Sequence, residues 1–195
     1  MPNRQVKGGF EISQSLNSYR IIMKDKGLRF LIFMVLTAAW LMVMRTMTAP
    51  LDSGLIIDFE YIGTASNAIS FLAGLRDSGQ LDLLTRSIFL DFIFPLLYGA
   101  TFYYATAWIC HKLPKGHMFN RFRDISILTF IAVLCDYLEN LSLIKLIYYP
   151  PEDIYAYLAY FFAATKFTLL GIVLAHFIIS GLIVVLESKK GTPAS

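Results

Sequence analysis

Charge is scarce in this chain. Of 195 residues, 16% are charged and 56% are hydrophobic, where a water-soluble domain has about 25% and about 45–50%. The mean hydropathy of +0.59 agrees. So little charge with so much apolar surface excludes a disordered chain and argues against a soluble enzyme. Cysteine occurs twice, too few for a disulfide framework. Cys110 ends one apolar stretch and Cys135 lies inside another, so both read as small hydrophobes in a bilayer. Histidine occurs three times, and His176 alone falls inside an apolar stretch. Haem held between two spans needs paired intramembrane histidines, so that cofactor is not expected. No Ser-His-Asp set, P-loop or CxxC motif is present. The sequence implies no nameable cofactor.

What the chain does have is long apolar runs. A helix needs about 20 apolar residues to cross a hydrocarbon core of about 30 Å. Four stretches qualify: about 28–49, 87–109, 125–147 and 154–186. The last exceeds one bilayer thickness at about 1.5 Å per residue. Its Tyr-rich start (Tyr155, Tyr157, Tyr160) suits the interface, where an apolar ring meets a hydroxyl that needs water. The fold class expected is all-α, a polytopic membrane four-helix bundle. Residues 1–27 and 187–195 flank it, and 50–86 form its longest connection.

Basic residues orient the spans. Arg4, Lys7, Arg20, Lys24, Lys26 and Arg29 precede or enter the first span. Lys112, Lys115, Arg121 and Arg123 lie in the loop 110–124, and Lys189 and Lys190 in the tail. The other side has only Arg76 and Arg86 in 50–86, beside Asp52, Asp58, Glu60, Asp77 and Asp82. This bias places both termini in the cytoplasm. The basic loop reads as a topology signal and a contact for anionic membrane lipid, not as a nucleic-acid site. A cleaved signal peptide fits poorly, because the preceding segment is long and Arg45 interrupts the approach to a cleavage site. Pro2 stands where N-myristoylation needs glycine. No internal repeat is visible.

The connection 50–86 is more than a linker. Pro50 and Ser53-Gly54 mark a turn. Thr64 or Ser66 suits the N-cap of a short amphipathic helix with Ile69, Leu72 and Leu75 at helical spacing, and Gly79 ends the pattern. This helix would cover the outer helix ends or act as a lid over a pocket.

Six charged residues fall within the spans: Arg45, Asp91, Asp136, Glu139, Lys145 and Lys166. Their formal charges cancel. A charge at mid-bilayer costs about 2.5–3.5 kcal/mol on insertion scales, so such groups face inward and find partners. Asp136 and Glu139 are i, i+3 and Asn140 is i+4, so all three share one helix face. Asp91 and Tyr98 are seven apart on one stripe, with Pro95 between them expected to kink the helix and free the carbonyl of Asp91. Counted from the span ends, the charges share the outer half of the membrane, with Cys110 at the inner end. The expected polar cluster is Asp91, Tyr98, Asp136, Glu139, Asn140 and Lys166. Lys166 would pair with Glu139, and Arg45 with Asp91. His176 lies ten residues beyond Lys166, roughly 15 Å along a helix, so a carboxylate–histidine metal site is not expected. Gly171 and Ala175 form a small-xxx-small step for close helix approach.

The segments Phe59-Glu60-Tyr-Ile-Gly63-Thr64, Leu90-Asp91-Phe-Ile-Phe94-Pro95-Leu-Leu-Tyr98, Asp136-Tyr-Leu-Glu139-Asn140 and Lys166-Phe167 resemble, in this order, an uncharacterised group of small bacterial four-helix membrane proteins. The likeness covers roughly residues 28–186. It implies the fold and an inner-membrane location, and no particular activity. A fainter likeness, in the acid-Phe-Pro-aromatic layout near Asp91, is to the EXPERA membrane proteins, which include sterol isomerases and sterol-binding receptors. Their full set of acidic residues is not reproduced here.

Three function classes follow. The first is a non-enzymatic membrane protein that binds a lipid head group, small solute or ion, or supports a partner. The second is a lipid-active membrane enzyme using intramembrane carboxylates. The third is a small proton-coupled transporter, which with four spans would need to form a homo-oligomer. In each, Asp91, Asp136 and Glu139 supply negative charge or a proton relay, Lys166 is the counter-ion, and Tyr98 and Asn140 orient them. The same cluster could equally serve as a salt-bridge core that fixes helix register.

Overall fold

The computed structural model describes the backbone of residues 5–190 except Lys115, and side chains of residues 25–188 except Ser53 and Lys115. Of the residues that set the expected orientation, Arg4, Lys7, Arg20, Lys24, Lys115, Lys189 and Lys190 lie outside the described side chains. Among the described residues every regular element is an α-helix: α1 (Gln5–Thr48), α2 (Ser53–Glu60), α3 (Ala65–Asp77), α4 (Leu81–Asp91), α5 (Phe94–Lys112), α6 (Phe122–Tyr148) and α7 (Asp153–Lys190). Four stretches are long and apolar enough to cross a membrane: Asp25–Thr48, Leu81–Lys112, Phe122–Tyr148 and Asp153–Ser188.

The second stretch is broken, not merely kinked. Pro95 has no N–H to give the carbonyl of Asp91, so α4 ends at Asp91 and α5 begins afresh at Phe94 with the proline in its first turn. Between them Phe92 N and Ile93 N donate to the carbonyls three residues back, Phe89 and Leu90. Carbonyls exposed by such a break need donors where water is absent. Trp40 Nε1 donates to Leu90 O at 3.2 Å, and Tyr137 Oη donates to Phe92 O at 3.0 Å. Side chains of α1 and α6 thus secure the break.

Within the connection 50–86, the turn expected at Ser53-Gly54 instead starts α2. Asp52 caps it, its Oδ1 accepting from Gly54 N at 2.9 Å. Thr64 caps α3, accepting from Asn67 N at 3.3 Å. The apolar face of α3 is Ala68, Leu72 and Leu75, while Ile69 is 55% exposed. At Gly79 the chain turns through a φ of +70°, which glycine adopts without steric cost. Phe59 of α2 is fully buried and stacks on Phe71 of α3, ring centroids 5.4 Å apart. These two rings join a core with Leu84 and Ile88 of α4, Leu143 and Leu146 of α6, and Ala156 and Ala159 of α7. Asp153 Oδ1 accepts from Ala65 N at 2.7 Å. That carboxylate sits at the positive N-terminus of α3 and ties it to the start of α7. The connection therefore packs over the end of the molecule where α6 turns into α7.

Small residues bring α6 and α7 together, but not those singled out above. Ala156, Ala159 and Ala163 have no exposed surface and recur at helical spacing on α7. Gly171 and Ala175 are exposed, and nothing lies within 4 Å of a Cβ built on Gly171. On the other side α1 runs along α5. Phe33 stacks on Tyr104 at 5.4 Å, and Thr37 Oγ1 lies 2.9 Å from Thr101 Oγ1.

Candidate functional site

The alanine face of α7 continues one turn further to Lys166, so the lysine enters the contact with α6 and not the surface. Its residue is 5% exposed. Facing it on α6 are Asp136 and Glu139, 2% and 0% exposed. Lys166 Nζ donates to Asp136 Oδ1 at 3.1 Å. It lies 2.8 Å from Glu139 Oε2, a close ionic contact without the angles of a directed hydrogen bond. Tyr98 of α5 completes the shell of Asp136, its Oη donating to Oδ2 at 2.7 Å. One turn along α6, Asn140 Nδ2 donates to Asp91 Oδ2 at 2.7 Å. Helices α5, α6 and α7, with the end of α4, thus bring together Asp91, Tyr98, Asp136, Glu139, Asn140 and Lys166.

A carboxylate the sequence reading left in the acidic connection also arrives here. Glu60, the last residue of α2, is 9% exposed, and its Oε1 lies 3.8 Å from Lys166 Nζ. It also faces Glu139 within hydrogen-bonding reach. Burial pushes the Glu60 carboxyl above its ordinary range, and the Lys166 ammonium offsets part of that rise. Charge counting hid Glu60, because it was grouped with the exposed acids of 50–86.

Arg45 does not join. Among the described residues it is exposed and pairs with no carboxylate, and Asp91 takes Asn140 as its partner instead of Arg45. The reason is position: α1 packs against α5 and α4, and it meets α7 at Phe30 and Phe177, several turns away from Arg45. Lys145 is also outside the cluster, its Nζ 4.1 Å from the ring centroid of Tyr149. The expected charge balance therefore fails. One ammonium, Lys166, stands among Glu60, Asp136 and Glu139, with Asp91 beside them.

The hydrogen bonding is uneven in a way that matters. Both oxygens of Asp136 have donors. Glu60 Oε2 and both oxygens of Glu139 are buried without a hydrogen-bond donor. A buried ionised carboxylate in that condition is costly, and such groups neutralise themselves instead. A proton on one of the two would make it a donor to the other.

His176 is buried apart from this cluster, its Nε2 2.9 Å from Phe119 O. Among the described residues no group of three or more His, Cys, Asp or Glu is arranged to hold a metal ion. Both cysteines are buried and free. No protein-family model, curated protein or solved structure matches the chain significantly.

Proposed function

We propose that the protein is a multi-pass component of a bacterial inner membrane, a four-helix bundle with both termini in the cytoplasm, whose buried cluster takes up positive charge, protons first. The single observation that carries this reading is the surplus of carboxylate over ammonium around Lys166. Three ionised acids against one cation would leave about two uncompensated negative charges in a low-dielectric interior, where protonation costs less than charge. Glu60 Oε2 and Glu139 Oε1 are the buried carboxylate oxygens with neither a hydrogen-bond donor nor a close contact to the ammonium, so this pair is the one that takes the proton. Asp136, with both oxygens satisfied by Tyr98 and Lys166, anchors the lysine.

The bias of basic residues supports the orientation, and it puts the cluster in the non-cytoplasmic half. The amphipathic helix α3, together with α2, covers that end. Because Glu60 rides on α2, the cover itself carries one of the cluster's acids. Its protonation state and its seating on the bundle are thereby linked. This is the behaviour of a binding module that responds to protons or to a small cationic group.

Infrared spectroscopy of the reconstituted protein tests this. The carbonyl stretch of a protonated carboxylic acid should be present at neutral pH, disappear reversibly as pH rises, and weaken in both Glu60→Gln and Glu139→Gln. A fully ionised set of carboxylates at neutral pH, in folded protein, would refute it.

A further inference from the structure

Away from the charged cluster, an open groove of about 540 Å³ runs between α6 and α7. Leu141 and Ile144 wall it on α6, and Leu158 and Phe162 on α7. Lys145 and Tyr149 stand at one end. That end adjoins the turn joining the two helices, while Leu141 and Phe162 lie further along them. The groove is thus apolar along its length and cationic at one end. Lys145 is the charged residue among those lining it. Among the described residues the lysine is exposed and has no carboxylate partner, only the Tyr149 ring at 4.1 Å.

We infer that this groove binds a membrane phospholipid with a net negative head group. Its acyl chain lies between α6 and α7, and its phosphate meets Lys145 and Tyr149. The observation selecting this occupant is charge complementarity. An apolar trough alone would fit any neighbouring helix, but a trough ending in an unpaired ammonium at the helix ends fits an amphiphile with an anion at its head. Lysine binds phosphate as a point charge, and a basic residue near the membrane surface attracts anionic lipid. The tyrosine places a ring and a hydroxyl at the same level, the usual arrangement at a head-group boundary. No residue of the charged cluster takes part, so this site stands independently of the proton-binding reading.

Native mass spectrometry of detergent-extracted protein, loaded with phosphatidylglycerol or phosphatidylcholine of identical acyl chains, tests it. The wild type should retain phosphatidylglycerol in preference to phosphatidylcholine. Lys145→Gln should reduce that retention about fivefold, the scale of one basic residue at a lipid surface, and Lys145→Arg should preserve it. Glycerol phosphate in solution should not displace the lipid. Equal retention by wild type and Lys145→Gln would overturn the proposal. So would displacement by glycerol phosphate, which would mark a site for soluble phosphate, or a second copy of the chain held in place of lipid.

Discussion

Glu60 Oε1 lies 3.8 Å from Lys166 Nζ, although one residue ends a short helix in a connection and the other sits in the middle of a long apolar helix. This pairing makes the connection 50–86 part of the charged cluster. It also separates two effects that oppose each other at Glu60. Attraction to Lys166 favours the ionised form and burial favours the neutral one, and burial wins.

A pH dependence follows from that balance. A carboxyl whose folded value is raised stabilises the fold fully at pH below its unfolded value, and that contribution is lost as pH rises through the folded value. Thermal stability of the detergent-solubilised protein should therefore fall as pH climbs above the ordinary carboxylate range. Glu60→Gln, which fixes the neutral form, should flatten this slope and match or exceed the wild type at neutral pH. A wild-type slope of the opposite sign, abolished by the same substitution, would show that the ion pair dominates.

Tyr98 and Tyr137 offer a matched comparison, since each donates one hydroxyl across a helix contact. Tyr98 donates to a buried carboxylate at 2.7 Å and Tyr137 to a neutral carbonyl at 3.0 Å. Hydrogen bonds to charged groups contribute about 1.5–3 kcal/mol, while interhelical bonds in membranes average about 0.6 kcal/mol. Tyr98→Phe should cost about 1–2 kcal/mol in chemical or thermal unfolding, and Tyr137→Phe less than about 1 kcal/mol. The reverse order would mean that the bond to Asp136 contributes no more than one to a neutral carbonyl.

Two glycines should respond oppositely to the same substitution. A Cβ on Gly99 would stand 2.7 Å from Val133 Cγ2, and nothing lies within 4 Å of one on Gly171. Alanine in a helix gains about 1 kcal/mol over glycine, so Gly171→Ala should stabilise by roughly that much. Valine is stiff about χ1 and cannot swing aside easily, so Gly99→Ala should destabilise by about 1–3 kcal/mol. Adding Val133→Ala should recover part of the loss. Melting temperatures of the three variants check this, and a stabilising Gly99→Ala would contradict the α5–α6 contact.

The four apolar stretches were legible because a helix long and apolar enough to cross a membrane declares itself in length and hydropathy alone. The α6 face was legible too, since i, i+3 and i+4 spacing places Asp136, Glu139 and Asn140 together whatever surrounds them. Partner choice was not. Arg45 and Glu60 both lie outside regular apolar periodicity at the ends of elements, and their fates depend on which helix α1 lies against and where α2 folds back. Charge neutrality was a misleading guide because it counted residues by span and not by contact. Pro95 signalled an interruption, but the supply of donors from Trp40 and Tyr137, which turns a kink into a clean break, depends on tertiary packing. Gly171 and Ala175 show the same limit. A small-residue step marks a surface that permits close approach, and the alanines at 156, 159 and 163 took that role.

The most direct test of the surplus of acid around Lys166 is a double-mutant cycle of Glu60→Gln and Lys166→Met, read as unfolding free energy at neutral pH. Removing Lys166 alone should cost about 3–5 kcal/mol, because it strands buried carboxylates. Neutralising Glu60 in the same molecule should recover part of that loss, with a coupling of about 0.5–3 kcal/mol. Strictly additive effects would mean that Glu60 and Lys166 do not share one site, and the account would fail.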